Sequence, residues 1–317
     1  YTPDDLLDGG ERVGEVGGVG IVGAITGTDA VAGYDEISGI VLASGQTGEQ
    51  YDFCEHEPAK ISGFVYHDRN LNGVKETGEE GISGVTMSLI DLDTGLVIAT
   101  TQTDGTGMYM FGDLLVGNYK VQEGDPGPQW RDGIDSEGTI VRDGVRIDRG
   151  DSTDVGDEME PDMIIDIHLL NGDRGEDYNF GEYLPGSISG RVYLSDPHGD
   201  CYIEPGQSPE RPLAGVTIKL YDGDIDPASL IATTVTNALG EYRFDGLDPG
   251  NYTIVEETPG HLLDGDEHVG SHGGIVIDAD NRNSVIGDIT LTSGDDGIEY
   301  DFCEHEPAKI SGFVYHD

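Results

Sequence analysis

Basic residues are scarce in this chain: 16 lysines and arginines stand against 63 aspartates and glutamates, a formal net charge of −47 over 317 residues. Such an imbalance repels phosphate backbones and anionic lipid, which excludes nucleic-acid and anionic-membrane binding. It suits a protein that binds cations or works in a salty medium. Long apolar runs are lacking as well, so no segment has the length to insert in a membrane as a helix. Sustained helical periodicity is missing. Tryptophan occurs once, as Trp130, and cysteine three times. The signatures of common active sites are also missing: the nine histidines form no zinc-type pairs, and there is no nucleophile elbow, phosphate loop or dinucleotide fingerprint. An enzyme is therefore not expected. Neither an initiating methionine nor a signal peptide precedes Tyr1, which reads as the start of a fragment or a processed product.

What the chain has in plenty is repetition. Tyr51 to Asp68, Y-D-F-C-E-H-E-P-A-K-I-S-G-F-V-Y-H-D, recurs without a mismatch from Tyr300 to Asp317, and a looser version runs from Tyr178 to Tyr193. In each, a proline (Pro58, Pro185, Pro307) stands three residues before the isoleucine of I-S-G-x-V-Y. The stretch reads as the last strand of one domain, a short joint and the first strand of the next. Residues 1–57 then form the C-terminal part of a preceding repeat domain, 58–184 and 185–306 two complete domains, and 307–317 the first strand of another.

The interiors of the two complete domains match. V-T-M-S-L (Val85–Leu89) parallels V-T-I-K-L (Val216–Leu220), and G-N-Y-K-V-Q-E (Gly117–Glu123) parallels G-N-Y-T-I-V-E (Gly250–Glu256). T-D-G-T-G-M-Y-M-F (Thr103–Phe111) parallels T-N-A-L-G-E-Y-R-F (Thr236–Phe244). The pairs Asp8-Gly9, Asp132-Gly133 and Asp264-Gly265 recur in the same place. Alternation of apolar and polar residues between Gly, Asn and Asp turns predicts strands and hairpins. The fold class is all-β, tandem antiparallel β-sandwiches arranged as a rod.

Two constellations carry chemistry. Asp68 to Glu79, D-R-N-L-N-G-V-K-E-T-G-E, sets oxygen side chains at positions 1, 3, 5, 9 and 12 and glycine at 6. That is the spacing of an EF-hand-type calcium loop. Asp68, Asn70, Asn72 and Glu79 would bind through side chains, Val74 through its carbonyl, and Glu76 directly or through water; the competing reading is a solvated acidic turn. The second domain keeps Asp196, Asp200 and Glu204 of this set in a degraded loop, where Cys201 replaces the turn glycine, so a cation is a weaker expectation there. Asp91, Asp93 and Asp104, or Asp222, Asp224 and Asp226, read equally well as secondary sites or exposed turn carboxylates.

Cys54 and Cys303 share a position at which the first complete domain has Gly181. That domain also has Gly73 where the second has Cys201. Since the pair is present or absent together, Cys201 and Cys303 are expected to be bonded, which implies an oxidising, extracellular compartment.

The linked motifs I-S-G-x-V-Y-x-D, G-V-T-x-x-L, T-D-x-x-G-x-Y-x-F-x-x-L and G-N-Y-x-V-x-E resemble the SdrD B-like and Cna B-type repeats of bacterial surface adhesins, which have a transthyretin-like sandwich. The resemblance implies stacked, calcium-binding spacer domains in a secreted or cell-surface protein. Neighbouring copies of the repeat, covalent or head to tail, would be its partners, together with a host or matrix ligand. Some members of that family carry internal Lys–Asn isopeptide bonds formed beside a buried Glu. Glu123 or Glu256 and Asn179 or Asp301 fit two of the three parts, but I-S-G-F-V-Y-H-D offers no lysine, and the glutamates are better read as hydrogen-bonded structural carboxylates. The function expected is a calcium-stiffened adhesive or structural rod. A carbohydrate-binding or spacer array of a secreted hydrolase is the alternative.

Overall fold

The computed structural model describes residues 6–16, 19–20, 25–27, 36–147, 162–196, 198–199, 201, 211–277, 284–314 and 316. All regular structure among them is β. The chain separates into two compact units. One comprises residues 1–67, 73–128 and 132–182, the other residues 68–72, 129–131 and 183–317.

In the first unit, one sheet runs Val97–Gln102, Thr86–Asp91, Gly117–Glu123, Met163–Leu169. The other runs Met108–Leu114, Ala59–His67, Arg174–Tyr183, Ser136–Arg142, Val145–Ile147. The alternation seen in the sequence is the alternation of burial. Met87 and Leu89 face inward between Thr86 and Ser88, as Tyr109 and Phe111 do between Met108 and Met110. The second unit repeats the plan, with Thr217–Asp222 and Glu241–Leu247 in the same roles. Ile188 and Val192 from one of its sheets meet Ile218, Leu220, Ile254 and Ile289 from the other in a single apolar core. Removing these side chains from water is the main favourable term of the fold.

One pairing departs from the antiparallel expectation. The first and last strands of each complete domain lie side by side and parallel: Phe180 opposes Val65 and Gly181 opposes Tyr66, as Phe302 opposes Val192 and Cys303 opposes Tyr193. A parallel neighbour cannot be reached through a hairpin, so the rest of the domain serves as the crossover. The register slips between Gly175↔Ile61 and Phe180↔Val65, a bulge where Asp177 has φ 63°. Glu299 and Gln50, which precede Tyr300 and Tyr51 as Asp177 precedes Tyr178, share that φ of 63°. This crossing of strands explains the glycine of I-S-G. A Cβ on Gly63 would lie 1.7 Å from the Tyr178 carbonyl oxygen, and one on Gly190 1.7 Å from that of Tyr300.

In the N-terminal part, Leu7–Arg12 pairs with Asp52–His56. Its register, Asp8↔Glu55 and Glu11↔Phe53, is that of Asp264↔Glu304 and Glu267↔Phe302 in the second unit. Residues 306–314 form no strand, and Ile310, Phe313 and Val314 are fully exposed. Of the first strand expected at 307–317, the described residues 307–314 form none.

Candidate cation and disulfide sites

The Asp68–Glu79 loop leaves directly from the strand Ala59–His67. The carboxylates that open and close the loop, Asp68 and Glu79, are both buried. Asp68 Oδ1 accepts from Asn72 N at 3.3 Å, and Asn70 Oδ1 from the same amide at 3.1 Å. Glu79 Oε2 accepts from Glu76 N at 2.9 Å, and Lys75 Nζ donates to the Glu79 carbonyl at 2.9 Å. Gly73 has φ +70°, and a Cβ there would meet Ile134 at 2.5 Å, so this turn position requires glycine. Val74 and Glu76 are exposed. The side-chain donors that the loop offers are all oxygen. That chemistry fits a hard divalent cation, but among the described residues Asp68, Glu76 and Glu79 do not converge to within 4.8 Å of one another.

In the second domain, Asp196 Oδ1 receives His198 N at 2.8 Å, an Asx turn. Asp200 and Glu204 lie outside the described residues. Three of the secondary candidates are turn carboxylates: Asp91 accepts from Thr94, Asp104 from Thr106 and Met108, and Asp226 from Ala228.

Cys201 and Cys303 are bonded, with their Cα atoms 5.8 Å apart. Cys303 lies in the last strand, where it is buried. Cys54 is free and exposed. At the isopeptide positions, Asn179 Oδ1 accepts from the backbone of Phe64 at 3.0 Å and Asp301 Oδ1 from that of Arg191 at 2.8 Å. Both acceptors thus cap the first strand rather than face a lysine.

Glu123 is not the hydrogen-bonded carboxylate expected of it. No donor reaches either of its oxygens among the described residues, although it is buried. It faces Glu182 and Asp162, and the ligand oxygens of the three lie within 4.8 Å of one another. Burial, then the charges of Glu182 and Asp162, raise its carboxyl well above the ordinary range. Burial and the charge of Asp162 push Glu182 up to about 9. The second domain has Glu256 and Glu304 in these two places. Burial pushes Glu256 up to about 8, opposed by the Thr258 hydroxyl, and burial with the charge of Glu256 pushes Glu304 up to about 9. The residues missed by sequence reasoning are Glu182 and Asp162. The signal for the first was the E that closes every Y-x-F-x-E, at Glu55, Glu182 and Glu304.

Fold and site together define a tandem array of β-sandwich repeats, each closed by its own first and last strands. The SdrD B-like domain family matches residues 59–138 and 177–303, most of the chain, and the chain belongs to that family. It is 29% identical over 255 residues to serine-aspartate repeat-containing protein D of Staphylococcus aureus strain Newman, covering 77% of this chain and 18% of that protein. It is 30% identical over 214 residues to serine-aspartate repeat-containing protein E of the same strain, covering 66% and 16%. The chain thus spans less than a fifth of the length of these relatives. Among solved structures it is similar to the Streptococcal ancillary pilin at 12% identity and TM-score 0.29, covering 80% of this chain and 63% of that one.

Proposed function

We propose that the chain is a structural and adhesive segment of an extracellular bacterial surface protein, a calcium-stiffened rod or fibre of stacked sandwich domains whose partners are neighbouring copies of the repeat. Membership of the SdrD B-like family and the names of the relatives support the surface role. The Cys201–Cys303 bond supports an oxidising exterior. What supports the calcium reading is the spacing of the oxygen side chains in the Asp68–Glu79 loop, together with the burial of its terminal carboxylates, Asp68 and Glu79. Asp68, Asn70, Asn72, Val74, Glu76 and Glu79 would hold the ion. Asp196, with Asp200 and Glu204, would form at most a weaker site.

Extracellular modules with such ligands bind calcium at about 0.1–1 mM, so a calcium-rich exterior fills the loop and a cytosol leaves it empty. Calcium titration of the chain by calorimetry, beside limited proteolysis with and without chelator, tests the reading. Binding in that range, with cleavage inside residues 68–79 appearing only on chelation, is the expected result. No loop-dependent binding up to several millimolar refutes it.

A further inference from the structure

The first complete domain holds a second constellation, built from residues that the loop does not use. Glu123 ends the strand Gly117–Glu123, Glu182 lies in the last strand, and Asp162 directly precedes Met163–Leu169. The amide of Glu123 donates to the Asp162 carbonyl at 3.0 Å, which fixes Asp162 beside the two glutamates. Three carboxylates, two from strands and one from the residue just before a third, therefore converge with their ligand oxygens within 4.8 Å. Oxygens on opposite sides of a calcium ion, each about 2.3–2.6 Å from it, are separated by about this distance.

Convergence of acids is not in itself a site. The second observation is the state of Glu123: 5% exposed, with no hydrogen-bond donor for either oxygen among the described residues. The groups acting most strongly on it are all acidic, namely Glu182, Asp162, Asp135 and Asp132. A buried carboxylate with neither donors nor a cationic neighbour must be neutralised by a proton or a metal.

The second domain also buries a glutamate, Glu304, with no donor for either oxygen among the described residues, and differs from the first at the third position. Its glutamates, Glu256 and Glu304, occupy the same places, but the amide of Glu256 donates to the carbonyl of Ser284, which stands where the first domain has Asp162. The third carboxylate is gone and hydroxyls have entered. Ser284 Oγ donates to Asp264 at 2.5 Å, and Thr258 Oγ1 donates to Glu256 Oε2 at 3.1 Å. Two protons neutralise a pair of carboxylates. Three converging at one point, two of them buried and Asp162 half-buried, keep a negative charge after the same two protonations, whereas a divalent ion with one proton neutralises all three.

We propose that the first complete domain binds a divalent cation between Glu123, Asp162 and Glu182, whereas the second keeps a metal-free Glu256–Glu304 pair. The donors are all carboxylate oxygens, with neither imidazole nor thiolate, which selects calcium, magnesium or manganese over zinc or copper.

The test uses calcium alone as probe on the whole oxidised chain, with sites counted by calorimetry or equilibrium dialysis. Asp68→Ala removes the loop as a contributor, so what remains reports on the cluster. In that background one calcium per chain should still bind, and adding Asp162→Ser, which installs the residue of the second domain, should weaken it at least tenfold. The same substitution carries a folding control. In chelator, Asp162→Ser should melt at or above the temperature of the parent, because it relieves repulsion among unpaired carboxylates; in calcium it should melt below the parent. A chain whose binding is lost with Asp68→Ala and is indifferent to Asp162→Ser overturns the proposal while leaving the loop reading intact. Binding indifferent to Asp68→Ala and lost with Asp162→Ser supports the proposal and removes the loop. Melting that shifts downward equally with and without calcium shows Asp162 to be merely structural and overturns the proposal.

Discussion

The phenol of Tyr109 donates a 2.7 Å hydrogen bond to the backbone carbonyl of Tyr178. The second domain repeats the bond between Tyr242 and the carbonyl of Tyr300, at 2.6 Å. The acceptor in each case is the carbonyl that a Cβ on Gly63 or Gly190 would strike. Two motifs far apart in the sequence, I-S-G and G-x-Y-x-F, thus exist to receive one peptide group of the last strand. Tyr109→Phe leaves that buried oxygen without this donor and should cost about 1–3 kcal/mol. Denaturant unfolding of the first domain measures the loss. Gly63→Ala should be far worse and prevent that domain from folding.

Reduction should act on the second domain alone. The Cys201–Cys303 bond spans 102 residues. Loop-closure entropy for such a span is about 4–5 kcal/mol. Reduction, or Cys201→Ser with Cys303→Ser, should lower the unfolding midpoint of that domain and leave the first unmoved. Calorimetric scans with and without reductant resolve the two. A shift of both transitions would show that the bond supports more than its own domain.

Substitution in the Asp68 loop should mimic chelation. Asp68→Ala should open residues 68–79 to protease in the presence of calcium, while the second domain stays intact. At ten times its dissociation constant a bound ion adds only about 1.4 kcal/mol. Protease susceptibility is therefore the sharper readout, and equal digestion of variant and parent would refute the assignment.

The Glu256–Glu304 pair predicts a pH dependence of definite sign. Both carboxyls titrate high in the folded domain, at about 8 and about 9, against an ordinary value of 4.5. The native state holds its protons more tightly, so this contribution is fully present below about pH 4.5 and is lost as the pH rises through 8 to 9. In chelator, the second domain should melt at falling temperatures from pH 5 to 9.5. Glu304→Gln keeps the shape, removes one charge and should flatten that fall. Equal slopes in parent and variant would exclude the pair as the source.

Much of this fold is legible in the sequence because period-two alternation maps directly onto burial, as at Met87 and Leu89. The joint is legible for the same reason, yet its two perfect copies show the limit of local pattern. A-K-I-S-G-F-V-Y-H is a strand at Ala59–His67, between Met108–Leu114 and Arg174–Tyr183, whereas residues 308–314 of its second copy form none. Pairing with strands on both sides, more than propensity, is what the first copy has. The Cys201–Cys303 pairing was readable because both cysteines vary together between the domains. The parallel contact of first and last strands was not, since nothing local encodes which edge a returning strand will join. The meeting of Glu123, Asp162 and Glu182 depends on that contact and was hidden with it.

The parallel first and last strands also fix how a domain bears a pull. The chain enters such a pair at one end and leaves it at the other, so tension along the chain slides the two strands past each other. All the hydrogen bonds between them must then yield together. In the second domain the pull takes a shorter route, from the first strand to Cys201, across the sulfurs to Cys303 and out. The 102-residue span between the cysteines is bypassed. At about 3.3–3.6 Å per residue, roughly 340–370 Å of slack stays locked while the bond is oxidised. The first domain has Gly181 in place of the second cysteine and no such stop. Two sandwiches of one plan therefore differ as a spring differs from a cable.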